Sequence, residues 1–404
     1  MTDLLEGRDV RPGTITGLDL PEFHRELKER VRRFADERVA PAAYDYDTRR
    51  EVPLDLIAEM AEMGLFGLTV PVELGGQGRD YLALCLAVEE IARVDQSLAV
   101  TLEADVGLGI MPILRRGTAA QKEEWLPLLA AGRGLAAFGL TEAEAGSDAG
   151  GTRTTARLED GTWVIDGTKQ FITNSGTPIT QLVTITAVTG ESTRPDGSVR
   201  KELSAFLVPV PSPGLVVLPP YDKVGWHTSD THPLILDGVR VPEANLLGER
   251  GRGFADFLVS LDEGRVAFAA LCVGAAQGCL DEAVRHAGTR RVFGRVLGQN
   301  QSTAFKLARM QARVHAARLA YHDAAVKLVN GQPFTQEASI AKLIGSEAAM
   351  DNARDACQVL GGYGFLNSSP VARHYRDSKV LEIGEGTSEV QLGVIARTLG
   401  FDVL

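Results

Sequence analysis

From Leu20 to about Leu135 apolar residues recur at three- and four-residue steps, the spacing of helices with one face turned inward. Phe23, Leu27, Val31, Phe34 and Val39 open the series behind Pro21 and Glu22, and Pro41 closes it. Pro53 starts a second predicted helix that stops at Met63-Gly64. Helices near Tyr81–Arg93 and Ser97–Arg115 follow the glycine-rich loop 64–78, and Thr118-x-x-Gln121 is a capping pattern opening a helix that ends at Gly132. Between about 136 and 245 the pattern turns to β. Thr152–Leu158 and Thr162–Ile165 flank Glu159-Asp160-Gly161, a hairpin signal. Further β-rich runs lie at Leu182–Val188, Leu203–Val208, Leu215–Leu218 and Leu234–Leu236. Six interleaved prolines suit short barrel strands better than a parallel sheet. From Gly253 the helical period returns over about 253–288, 300–330, 335–360 and 380–399, lengths that pack as an antiparallel bundle. The prediction is an α+β multidomain chain: an N-terminal all-α domain (1–135), a middle β-barrel domain (136–250) and a C-terminal four-helix bundle (251–404).

Composition narrows the partners. The chain has 404 residues, with 42 Lys and Arg against 53 Asp and Glu, a formal net charge of −11. Nucleic acid and anionic membrane both call for a basic surface, so neither is expected as the main partner. Cys85, Cys272, Cys279 and Cys357 form no CxxC pair and read as buried small hydrophobes, with no metal site expected. Met1–Leu20 mixes charges with no apolar centre, unlike a signal peptide, and no uninterrupted apolar run approaches the ~18 residues of a membrane span. A cytoplasmic protein is expected.

Five segments carry chemistry. Phe138–Asp148 is a small-residue turn with two bare glycines, fit for a phosphate or flavin contact or for an ordinary turn. In Phe171-Ile172-Thr173 an aromatic two residues before a hydroxyl can stack on a ring and bond its edge, or simply belong to a strand. Arg290 and Arg291 at a helix end suit the helix dipole or a pyrophosphate. Gly361 and Gly362 after Gln358 suit a C-cap or a close ligand approach. In Gly384-Glu385-Gly386-Thr387 a carboxylate sits between glycines before a Thr cap, as a solvated residue or a mobile base.

These segments, in this order, resemble the acyl-CoA dehydrogenase family from about residue 20 to 400. The resemblance implies FAD as cofactor and α,β-dehydrogenation of an acyl-CoA thioester to the trans-2-enoyl-CoA. Its partners would be an electron-transfer flavoprotein as electron acceptor and further copies of the chain, in a homotetramer built as a dimer of dimers. It places Phe138, Leu140 and Thr141 against the flavin ring, Gly146 near it, and Ser147 toward pantetheine or phosphate. Phe171 would stack on the ring, where many relatives have Trp, and Thr173 would bond near its N5. Arg290, Phe293 and Gln301 resemble the part of a neighbouring subunit that reaches the FAD. Gln358, Gly361 and Gly362 would meet the adenosine pyrophosphate from the partner, and Thr387 and Glu389 the pyrophosphate and adenine.

The family places its base either before Gly-Thr in the last loop or just before an Arg on the first helix of the C-terminal bundle. The second position here is Gly264, which cannot act, so Glu385 is the expected base. Glu263 is a decoy, and Asp262, Arg265, Gly384 and Gly386 are expected on the substrate side. In the family the thioester carbonyl is met by the base's backbone N–H and a flavin ribityl hydroxyl. Ala143 and Ser368 are minor departures from the family pattern. Gly384, where many members carry Tyr, removes a wall beside the first acyl carbons. It predicts a short or branched acyl group unless a neighbouring side chain fills the gap. The same residues would serve an acyl group held by a carrier protein. Flavin monooxygenases and nitrososynthases of this scaffold lack the last-loop carboxylate, acyl-CoA oxidases share it but are usually longer, and a non-catalytic binder has no use for it.

Overall fold

Helix α1 (Glu22–Phe34) is amphipathic, burying Leu27, Val31 and Phe34 and exposing Arg25, Arg30 and Arg33. It belongs to a computed structural model that describes residues 20–193, 197 and 199–401, so the charged stretch 1–19 lies outside the described residues. Pro41 does not close this helix as predicted. Ala35–Val39 makes a π-helical turn, and α2 (Ala40–Arg49) takes Pro41 into its first turn, where a missing N–H costs nothing.

Helices α3 (Leu54–Glu62) and α4 (Tyr81–Ala92) lie where their signals fall. The predicted helix Ser97–Arg115 is α5 (Gln96–Glu103) and α6 (Met111–Arg116), joined by a π-helical segment over Ala104–Ile110. Gln96–Arg116 as a whole is long and apolar enough to cross a membrane, with mean hydropathy 1.5, yet 89% of that window is buried inside the protein. It is a core helix. In α7 (Ala119–Ala130) the Thr118–Gln121 capping box forms as predicted.

Strand β1 (Leu135–Gly139) carries no alternation, because it runs parallel to β4 (Thr180–Thr193) with nearly every residue buried, Phe138 opposite Thr184. The hairpin of β2 (Thr155–Glu159) and β3 (Thr162–Thr173) turns through Asp160 and Gly161 at φ 49° and 74°. With β5 (Val199–Pro209), β6 (Leu215–Val217), β7 (Thr231–Pro242) and β8 (Leu246–Leu247) the sheet has eight strands. Its path runs β6-β7-β3-β2-β4-β5-β8, with β1 beside β4. At 12 and 14 residues β3 and β4 outrun the short strands predicted, because pairing continues into polar ends such as Ser192 opposite Arg200.

Helices α8 (Gly253–Thr289), α9 (Gln301–Val329) and α10 (Thr335–Leu360) match their predicted spans. A small hairpin of β9 (Arg291–Val292) and β10 (Arg295–Val296) separates the first two. The predicted helix 380–399 is divided instead. Helix α11 (Pro370–Ser378) runs into a 3-10 turn at Lys379–Glu382, the chain loops over 383–387, and α12 (Ser388–Thr398) begins behind Thr387. Gly384 and Gly386 are the local reason, since glycine pays the largest entropy in a helix.

The N- and C-terminal helices share one apolar core, in which α4, buried all round, packs on α8, while the sheet keeps a second core around Trp163 and Phe206. All four cysteines are free, three of them buried. Where the cores meet, Asp105 accepts the Ala136 N–H at 2.6 Å, and a Cβ on Gly109 would stand 2.6 Å from Ala136 Cβ. That close approach aims the loop after β1 at the junction of all three layers.

Candidate active site

Glu385 occupies the loop between the 3-10 turn and α12 with φ 54°, a left-handed conformation uncommon outside glycine, and Gly386 follows at φ 89°. Neighbouring elements hold this backbone. Lys342 of α10 donates to Gly386 O at 2.7 Å, and Gln391 donates to the carbonyls of Glu385 (3.0 Å) and Gly386 (2.9 Å). The side chain is thereby turned onto α8. A Cβ on Gly264 would lie 2.9 Å from Glu385 Oε2, so the carboxylate occupies the space a side chain at 264 would need. Oε2 is buried without a hydrogen-bond partner. Burial raises the carboxyl to about 7, against the pull of Arg265 and Lys342. Such a group takes a proton near neutral pH.

The other acidic residues sort themselves around it. Glu263 is buried and ion-paired to Arg115, whose Nε lies 2.8 Å from Oε2, so it faces away from Glu385 into a structural contact. Arg265 donates to Asp262 at 2.6 Å, and Asp262 accepts Thr335 Oγ1 at 2.6 Å. Glu103, at the end of α5, is a carboxyl that the sequence reading does not single out. It is 1% exposed with Oε1 unpartnered, and burial, then the Glu385 charge, push it well above the usual range. The opening expected beside Gly384 is taken: a Cβ there would meet Phe268 Cζ at 3.3 Å.

The Phe138–Ser147 loop is fixed from beneath. Lys169 of β3, fully buried, pairs with Glu142 at 2.8 Å and donates to Leu140 O at 3.0 Å and Thr186 Oγ1 at 3.2 Å. Glu142 also accepts the N–H groups of Arg153 and Thr154, while Thr141 O accepts Gln170 N–H. Burial lowers Lys169 to about 8 despite its partner. A lysine amid inward-facing strand positions was the signal available for this pair. The loop's outer edge is left free: Gly146 and Ser147 are exposed, and a Cβ on Gly146 would touch nothing within 4 Å. Phe138 stacks on Phe257 with centroids 5.2 Å apart. Phe171, at φ 62° in a register shift of β3, is 64% exposed beside Tyr221, and Thr173 ends the same strand half-buried.

A second group of predicted residues lies elsewhere on the protomer. His286, Arg290, Gly361, Gly362, Tyr363 and Leu366 help line a cavity of about 430 Å³ that includes no residue of the Phe138–Ser147 loop or the Glu385 loop. Phe293, at the turn of the β9–β10 hairpin, is fully exposed, and Gln301 and Gln358 are exposed. A Cβ on Gly361 or Gly362 would meet nothing within 4 Å. Thr387 caps α12, and Glu389 stands exposed in its first turn. Open backbone at Gly361 and Gly362 and the exposed Arg290 guanidinium can bond a pyrophosphate, and the outward Phe293 can pack on a ring, so these residues fit FAD.

A carboxyl raised to about 7, with one buried oxygen unpartnered and seated against α8, is suited to take a proton from a weak acid. The acyl-CoA dehydrogenase N-terminal, middle and C-terminal domain families match residues 21–133, 137–239 and 251–400. The chain is 43% identical over 381 residues to the probable acyl-CoA dehydrogenase YngJ of Bacillus subtilis, covering 94% of this chain and 99% of that one. It is 42% identical over 382 residues to the mitochondrial short-chain specific acyl-CoA dehydrogenase of Mus musculus, covering 95% and 91%. The butyryl-CoA dehydrogenase structure from Megasphaera elsdenii superposes with a TM-score of 0.91 at 38% identity, covering 96% of this chain and all of that one. The protein belongs to the acyl-CoA dehydrogenase family of FAD-dependent oxidoreductases.

Proposed function

We propose that this enzyme dehydrogenates short-chain acyl-CoA thioesters between Cα and Cβ, with Glu385 as the base and an electron-transfer flavoprotein as electron acceptor. FAD held against the Phe138–Ser147 loop and Phe171 supplies the acceptor for the Cβ hydride. Glu385 takes the Cα proton; an ordinary carboxylate near 4.3 is a weak base for so weak an acid, and burial brings it closer. The Glu385 N–H, which donates to no backbone carbonyl among the described residues, is left to meet the thioester oxygen. Arg265, tied to Asp262, stabilises the ionised base. Ser147, Gly384 and Gly386 border the substrate, and Arg290, Phe293, Gln301, Gln358, Gly361, Gly362, Thr387 and Glu389 hold the dinucleotide end across a subunit contact.

The observation that carries this reading is the unpartnered Glu385 Oε2 seated over Gly264. Anaerobic addition of butyryl-CoA to the FAD-loaded enzyme tests it: the flavin absorbance should bleach. Glu385→Gln should keep FAD and fold but lose about 10²–10⁴ in the rate of bleaching. Full activity in that variant would remove Glu385 from the chemistry.

A further inference from the structure

Gly264, Arg265 and Phe268 lie within one turn of α8, on the side that meets the base loop. Gly264 faces the Glu385 carboxylate, and four residues on, Phe268 faces Gly384. Phe268 is 2% exposed, with its ring tip 3.3 Å from where a Gly384 Cβ would stand and Cε2 at 3.7 Å. Two neighbours hold the ring. Trp226 packs edge-on at 6.2 Å between centroids, Lys342 Nζ sits 5.8 Å over the face, and Val380 O borders the same gap, 3.5 Å from the Gly384 Cβ position. Trp226 is itself fixed, donating its backbone N–H to Asp377 at 2.7 Å and its indole N–H to Gln96 at 3.3 Å. The ring therefore cannot swing aside cheaply.

We propose that Phe268 is the specificity wall of the acyl pocket: its ring takes the volume left by Gly384 and excludes a methyl branch at Cα or Cβ, so the enzyme selects straight short acyl chains. The inference rests on the reading of Glu385 as base. An acyl Cα within reach of that carboxylate lies beside Gly264 on α8, and Phe268 follows one helical turn, about 5.4 Å, along the same face. A side chain arriving from α8 does there what a loop side chain would do. Gly384 and Phe268 are thus one steric unit, and either position filled requires the other small.

The test compares kcat/KM for butyryl-, isobutyryl- and 2-methylbutyryl-CoA on FAD-loaded protein by flavin reduction. The native enzyme should prefer butyryl-CoA, and Phe268→Ala should raise the isobutyryl-to-butyryl ratio by about 10-fold or more, the usual worth of one methyl in a fitted pocket. Gly384→Tyr should depress butyryl-CoA turnover in the native background and much less in the Phe268→Ala background, since the two side chains compete for one volume. Where the alanine protein loses FAD, Phe268→Leu reads the same ratio in a fuller core. An unchanged ratio in a flavin-loaded Phe268 variant, additive effects in the double variant, or native preference for a branched thioester overturns the proposal. Absence of bleaching with every acyl-CoA would instead sink the dehydrogenase substrate reading itself.

Discussion

Glu385 is costly where it stands, in the left-handed region, desolvated and with one oxygen unpartnered. A carboxyl raised to about 7 makes activity rise with pH. In the free enzyme kcat/KM should climb through an apparent value near 7 and level above it, and a profile flat from pH 5 to 9 would contradict this. The same shift has a stability sign. Between its ordinary value and about 7 the folded protein keeps a proton that the unfolded chain has lost, so folding weakens as pH rises through that window. Glu385→Gln should therefore gain melting temperature relative to the native enzyme as pH rises from about 4.5 to 7. Gly264 offers a sharper probe. Alanine is the better helix former, yet its methyl must displace Glu385 Oε2 from 2.9 Å, so Gly264→Ala should keep the fold and lose about 10- to 100-fold in rate. Undiminished turnover in that variant would mean that the carboxylate works from another position.

At the scale of elements, the Lys169–Glu142 pair decides whether the flavin loop has a shape. Lys169→Met leaves Glu142 buried beside two backbone N–H groups but without its counter-ion, a loss of about 3–5 kcal/mol for a broken buried pair. The expected result is a lower melting temperature together with faster FAD loss on dilution; loss of neither would show the loop to be self-supporting. Elements with strong local signals were legible in the chain: the Thr118–Gln121 box, the Asp160-Gly161 turn and the three long Ala- and Leu-rich helices all stand where their patterns put them. Elements defined by tertiary contact were not. Strand β1 exists because β4 and Asp105 meet its backbone, the two π-helical turns leave no mark in the hydrophobic period, and Pro41 reads equally as a stop or a first-turn residue. In the site, the choice of Glu385 over Glu263 rests on the family resemblance, and the seat of Glu385 against Gly264 and the Glu263–Arg115 pair agree with it. Glu103, Lys342 and Phe268 could not be read from the chain, since only the fold brings residues from α5, α10 and α8 to one loop.

For the whole molecule, the residues fitted to FAD divide between two surfaces of the protomer. A homotetramer in which each copy completes its neighbour's site predicts that Phe293→Asp, a charge on a fully exposed hairpin tip, leaves the monomer folded while lowering both assembly mass and flavin content. A monomeric variant retaining full FAD in light scattering would separate the two. In such a tetramer cofactor and subunit would be partners in a single mass-action balance. A ligand bound only by the assembled form pulls the chain into that form, and crowding of chains in turn raises the apparent hold on the ligand. FAD affinity should then be no fixed constant of the protein but rise with its concentration, so that flavin supply sets how much of a dilute population exists as enzyme at all.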